Sequence, residues 1–267
     1  MYPILLTLGG FTLSSYNFFL TSSFIVMFGC ALRRAGRFGV PREVMLNVSL
    51  LAGVSMWIGS GAWYRVLHAA QFAGQPARLF NVFSGGLASV GGVVLGVLAL
   101  SVYLTLARRD LRALFDAGAP GFLLSSAIGR VGCFLGGCCY GTPTDSLCGV
   151  VYPAAWYPAS PYSGGTALWP APLFAAGIEL CGFGGILWLE RRHYAPGATF
   201  LWSVLYYLGD RFLVEQVRYY PPEQILAAIG PLIINDNHPL LFVLAIFAVI
   251  LWRRGRRPAA ANTVETR

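Results

Sequence analysis

Gly129-Arg130-Val131-Gly132-Cys133-Phe134-Leu135-Gly136-Gly137-Cys138-Cys139-Tyr140-Gly141 closes a long apolar segment and sets a lone arginine, five glycines and three cysteines where a membrane helix ends. A guanidinium within or just under a bilayer is expensive and is kept mainly where it pairs with an anion or lines a polar cavity. Arg130 is therefore a functional candidate. The glycines beside it let backbone or ligand approach closely.

The apolar segment is one of several. Crossing about 30 Å of hydrocarbon takes about 20 helical residues, and apolar windows of roughly that length fall near 11–32, 45–67, 85–107, 114–135, 171–189, 197–217 and 237–252. With 56% hydrophobic and 11% charged residues, the 267-residue chain is far from a soluble composition, in which about a quarter of residues are charged. The expected fold class is all-α, a polytopic membrane bundle of about seven helices. One domain is expected over 1–257, with an outer loop at 142–170 and a disordered cytoplasmic tail at 258–267.

Arginine placement gives the orientation. Arg33, Arg34, Arg37 and Arg42 follow the first span; Arg108, Arg109 and Arg112 follow the third; Arg191 and Arg192 follow the fifth; Arg253, Arg254, Arg256 and Arg257 follow the seventh. Under the positive-inside rule these clusters are cytoplasmic, which places the N-terminus outside and the C-terminus inside. The net charge of +8 is then a topology signal, and nucleic-acid binding is not expected. The first span lacks a basic leader and carries its arginines on the far side, so it reads as a retained helix.

Polar residues inside the spans gather toward the outer side. Tyr16 sits in the outer third of the first span, where it reads either as an interfacial anchor or as a donor to a buried ligand. In the sixth, Arg211, Glu215 and Arg218 are spaced i, i+4, i+7 and share one helical stripe. That ladder reads either as a closed ion network or as an anion site, since guanidinium forks match phosphate oxygens. Gly85-Gly86 and Gly91-Gly92 open the third span and suit close helix packing or an anion-holding bend. Trp156, Tyr157, Tyr162 and Trp169 in the outer loop suggest a lid or a head-group belt. Residues 221–237 read as a short helix or re-entrant segment.

Cys30 and Cys181 read as small packing residues. Cys133, Cys138, Cys139 and Cys148 fall near the outer surface, where a disulfide from Cys138 or Cys139 to Cys148 is open to an oxidising compartment. No histidine or C-x-x-C pair completes the usual ligand set beside them, so neither a metal nor a cofactor is expected.

Taken together, these motifs resemble the prolipoprotein diacylglyceryl transferase family. Gly129-Arg130-Val131-Gly132-Cys133-Phe134-Leu135 with Gly141 is similar to its fourth-span signature, Gly85-Gly86 with Gly91-Gly92 to its third-span motif, Arg211 through Arg218 to its R-x-x-x-E-x-x-R helix, and Tyr16 to its first-span tyrosine. The resemblance implies transfer of the diacylglyceryl unit of phosphatidylglycerol to a lipobox cysteine, with release of glycerol phosphate, by a monomer in the bacterial cytoplasmic membrane whose site faces outward. It gives Arg130 and Arg211 to the lipid phosphate and leaving group. Glu215 would fix Arg211, Tyr16 would donate to substrate, and Arg218, Gly85, Gly86, Gly132, Cys133 and Gly141 would line the site.

Val90 stands where the third-span motif has histidine, and Cys133, Gly136 and Cys138 replace the signature's asparagine and glutamate. His68 and His238 are the outer-side histidines left. The residues are thus compatible with transfer to a lipobox cysteine, with transfer to another thiol, amine or hydroxyl of a protein or small molecule, and with a phospholipid-binding protein without chemistry. From a different class, a thiol redox protein using Cys133, Cys138, Cys139 and Cys148 is also open.

Overall fold

Inside a bilayer each backbone donor and acceptor must be satisfied within its own segment, which restricts long apolar runs to helices. The computed structural model of the chain describes residues 2–9, 11–67, 89–107, 111–153, 162, 165–220, 225–229, 232–235, 246 and 249. Six of the apolar windows are helices: α1 (Ser15–Ala35), α2 (Arg42–Leu67), α3 (Ser89–Ala107), α4 (Leu111–Gly136), α5 (Ala171–Arg192) and α6 (Ala198–Glu215). Among the described residues four stretches, Ser15–Phe38, Arg42–Val66, Arg112–Gly136 and Ala171–Arg192, are long and apolar enough to cross a membrane. Gly85, Gly86, His68, Trp156, Tyr157, His238, the tail and all but two positions of the window at 237–252 lie outside the described residues.

Two segments differ from the sequence reading. The first helix starts at Ser15 rather than near 11, because strands β1 (Ile4–Leu8) and β2 (Phe11–Ser14) pair antiparallel ahead of it. Ser14 Oγ accepts from the Asn17 N–H at 3.2 Å, a serine N-cap that fixes where the helix begins. Within the segment read as a short helix or re-entrant segment at 221–237, the described residues pair as antiparallel strands β3 (Ile225–Ile229) and β4 (Leu232–Asn235). Its isoleucines favour extended backbone, and Gly-Pro falls between the strands in sequence.

The chain forms two compact units, residues 32–114 and residues 1–31 with 115–267. In the first, α2 lies close against α3 along a seam of small residues. A Cβ added at Gly59 would come within 2.8 Å of Leu95 Cβ, and one at Gly92 within 2.5 Å of the Met56 carbonyl. The glycine pair Gly91-Gly92 is thus a packing device, the commoner use of such pairs in membrane helices.

In the second unit, Asp116 of α4 closes the N-terminus of α6. It accepts from the Gly197 N–H at 2.6 Å, the Phe200 N–H at 2.8 Å and the Tyr194 hydroxyl at 3.2 Å. The first N–H groups of a helix have no intrahelical partner, and a carboxylate placed there also meets the positive end of the helix dipole. Tyr206 of α6 lies over Gly182 of α5 and donates its hydroxyl to the Ile178 carbonyl at 2.8 Å. Gly132 and Gly136 set α4 against α1, since Cβ atoms there would stand 2.7 Å from Phe19 Cβ and 3.2 Å from Tyr16 Cβ. These contacts bring α1, α4, α5 and α6 into one unit, and every described candidate site residue falls within it.

Candidate functional site

Arg130 lies one and a half turns before the end of α4 and pairs with Glu179 of α5, Nε to Oε1 at 3.7 Å. Glu179 is fully buried and also accepts from the Ser126 hydroxyl at 2.8 Å. Asp210 of α6 faces Glu179, and both Arg130 and Arg211 act on its carboxylate. Glu179 and Asp210 were not among the residues singled out in the sequence, although a carboxylate in an apolar span is itself a signal.

Arg211, Glu215 and Arg218 meet as their spacing suggested. Glu215, with no exposed surface, pairs with Arg211 and, at 3.5 Å, with Arg218 Nη1. The Tyr220 hydroxyl donates to its other oxygen. The helix itself stops at Glu215, however, and Arg218 lies beyond it on an extended segment. That segment is held by the chain after α4. Tyr219 N–H donates to the Tyr140 carbonyl at 3.1 Å and Thr142 N–H to the Val217 carbonyl at 2.9 Å. On the opposite edge Gly141 N–H donates to the Trp169 carbonyl at 2.8 Å. Gly141 is thus on the middle one of three neighbouring backbones joined by antiparallel bridges and has no room for a side chain, a Cβ falling 2.5 Å from the Val217 carbonyl oxygen.

The end of α4 shapes the cysteines. Gly137 has φ +71°, its N–H bonds the Phe134 carbonyl at 3.1 Å, and the Cys138 N–H bonds the Cys133 carbonyl at 3.0 Å. This two-bond cap uses left-handed glycine to satisfy the last carbonyls of a helix. Cys139 follows with φ +63°, and the sulfurs of Cys133, Cys138 and Cys139 all lie within 4.8 Å of one another. Arg218 Nη2 donates to Cys139 Sγ at 3.3 Å. Hydrogen bonds from the Cys133 and Cys138 thiols hold the Cys139 thiol well below the usual thiol range, and Arg218 and Arg130 add to this. Burial raises the Tyr220 phenol, which is pushed up to about 12.

Tyr16, at the start of α1 and 41% exposed, lies against Gly136 at the end of α4, within electrostatic reach of the three cysteines and Arg130. Tyr140, Tyr152, Tyr162 and Tyr219 form a ring-on-ring set after α4, with neighbouring centroids 5.1–5.9 Å apart. Of the expected site residues, Tyr16, Arg130, Gly132, Cys133, Cys138, Cys139, Gly141, Arg211, Glu215 and Arg218 fall together. Cys148 is exposed, and the structure contains no disulfide from Cys138 or Cys139 to Cys148.

The arrangement is two buried arginine-carboxylate groups, a tyrosine and three thiols, at the capped end of a membrane helix. The prolipoprotein diacylglyceryl transferase family model matches residues 3–252. The chain belongs to that family. It is 27% identical over 213 residues to phosphatidylglycerol–prolipoprotein diacylglyceryl transferase 2 of Clostridium perfringens, covering 79% of this chain and 81% of the relative. The corresponding transferase of Geobacter sulfurreducens is 27% identical over 259 residues, 94% and 96% of the two chains. That of Chloroflexus aggregans is 31% identical over 205 residues, 70% and 67%. The family resemblance drawn from the motifs is thereby established, and with it a multi-pass membrane transferase.

Proposed function

We propose that this protein moves the diacylglyceryl group of phosphatidylglycerol to the cysteine thiol of a prolipoprotein, on the outer face of a bacterial cytoplasmic membrane. The observation that carries the reading is that Arg130 and Arg211, on two helices of one compact unit, are each held by a buried carboxylate, Glu179 and Glu215. Guanidiniums whose positions are fixed before the lipid arrives need no reorganisation as charge develops on the departing phosphate, which is the usual source of electrostatic catalysis.

The roles follow from position. Arg130 and Arg211 take the phosphate oxygens, and Glu215 holds Arg211 and Arg218 in register. Tyr16, partly exposed beside Arg130, donates to the lipid or the acceptor. Gly132 lets α1 bring Tyr16 close, and Gly141 sets Arg218 by its bridge. Gly85 and Gly86 complete the lining by analogy with the family motif. Seven crossings with the N-terminus outside, and a monomeric unit, complete the reading.

The test is release of glycerol phosphate from phosphatidylglycerol by purified protein in mixed micelles with a lipobox peptide, with the peptide's mass gain read in parallel. Arg130→Lys keeps the charge and loses the paired donors, so turnover should fall by about 100-fold, a loss of nearly 3 kcal/mol of transition-state stabilisation. Folded wild-type protein that releases no glycerol phosphate, or an Arg130→Lys variant of full activity, would overturn the reading.

A further inference from the structure

The spacing of Cys133, Cys138 and Cys139 is not a familiar metal-binding pattern, yet the fold makes it converge. The two-bond cap of α4 lays the side chain just past the helix against the one at its third-last turn position, and those residues are Cys138 and Cys133. Cys139, in the left-handed conformation, turns its sulfur back to join them. All three sulfurs lie within 4.8 Å of one another. Around zinc, with metal–sulfur bonds of about 2.3 Å, tetrahedral ligand sulfurs stand about 3.8 Å apart. The three therefore need to close by no more than about 1 Å, within reach of small side-chain rotations.

We propose that Cys133, Cys138 and Cys139 hold one zinc-class cation, and that its open fourth position takes the acceptor's thiol. The second clause rests on the transferase reading above. An all-thiolate donor set selects soft cations, and three protein ligands with one position left open is the pattern of catalytic rather than structural zinc. A thiol bound to such an ion is deprotonated outright, which activates the acceptor for attack. Four thiolates around a dication carry two excess negative charges. Arg218, bonded to Cys139 at 3.3 Å, and Arg130, which acts on Cys133 and Cys139, stand against them.

The step balances without an oxidant. The acceptor thiol binds and gives its proton to water, its sulfur forms a bond to the terminal glyceryl carbon of the lipid, and that carbon's bond to the phosphate oxygen breaks. The electron pair leaves with glycerol phosphate. The product thioether, a weaker ligand than thiolate, dissociates and frees the position.

Cobalt(II) titrated into full-length protein kept reduced in detergent reads the site directly. We expect one equivalent per chain with sulfur-to-cobalt charge-transfer absorption, displaced by zinc, lost in C133S, C138S and C139S and kept in C181S. A lipobox peptide with its cysteine should then intensify that absorption on wild-type protein as a fourth sulfur binds, and the same peptide with serine should not. No sulfur–cobalt band, a band retained in C139S, or no response to the cysteine peptide overturns the proposal; the peptide arm needs no variant to fold. Glycerol phosphate release should stop on chelation and return with zinc. Release that survives chelation overturns the metal's role and leaves the transferase reading standing, whereas the full spectral response without release from phosphatidylglycerol supports the site and overturns the transferase reading.

Discussion

Glu215→Gln is the most informative single change, because Glu215 is wholly buried and three donors converge on it. Arg211 and Arg218 address one carboxylate oxygen and the Tyr220 hydroxyl the other. Glutamine keeps the shape but replaces one oxygen by an amide N–H2, so at least one donor then faces another donor, and the guanidiniums lose their counter-charge. Removing one partner of a buried ion pair costs about 3–5 kcal/mol. The lower end applies, since the Arg218 side chain keeps 21% of its surface exposed and can turn toward water. About 3 kcal/mol is therefore expected in thermal unfolding followed in one detergent. If the guanidiniums drift by a comparable energy, glycerol phosphate release should fall by about two orders of magnitude. A double-mutant cycle isolates the cause. Tyr220→Phe, which removes a donor to a charged acceptor, should cost about 1.5–3 kcal/mol in wild type and much less beside Glu215→Gln, because the acceptor it served has gone. Unchanged unfolding of Glu215→Gln, or strict additivity of the two substitutions, would refute the idea that this carboxylate organises the arginines.

Two further outcomes follow from the geometry. Gly141→Ala places a methyl 2.5 Å from the Val217 carbonyl oxygen and 2.6 Å from Trp169 Cβ. The strand between them must shift, at about 1–3 kcal/mol, and the bridge that sets Arg218 goes with it. KM for phosphatidylglycerol should rise and unfolding should come earlier; wild-type kinetics would exclude the bridge as the positioning element. Asp116→Asn leaves one of the three donors at the α6 N-terminus facing an amide, at about 1–3 kcal/mol. It should lower the unfolding temperature with little change in the KM of the folded fraction, as calorimetry and initial rates would show.

The helices were legible because hydrophobic length is a strong signal, and α2 through α6 lie within a few residues of their windows. The strands were not, for a physical reason. Ile4–Leu8 with Phe11–Ser14, and Ile225–Ile229 with Leu232–Asn235, are apolar runs too short for periodicity to separate strand from helix. In the first case the run is continuous with a span, so hydropathy merges the two; only Ser14, capping the helix by its bond to Asn17, marks the true start. The end of α6 was overrun for a related reason. The i, i+4, i+7 spacing of Arg211, Glu215 and Arg218 fits one helical face, yet Arg218 reaches Glu215 from a strand-like segment, because residues three apart past a helix end can still meet.

The site divides along the same line between local and non-local information. Arg130, Arg211 and Glu215 stood out because each is an ionisable group in an apolar run, a property of the residue and its neighbours in sequence. Glu179 and Asp210 carry the same mark, but the importance of Glu179 lies in its meeting Arg130 of another helix, which no neighbour in sequence announces. The cysteines are the sharpest case. Read along the chain, C-x4-C-C matches no ligand spacing, whereas Gly137 at φ +71° reverses the chain after α4 and makes the residues on either side of it neighbours. A helix cap is usually considered only for the carbonyls it satisfies; here it also decides which side chains touch, and so turns a run of small residues at a membrane-helix end into a cluster of donors beside two arginines.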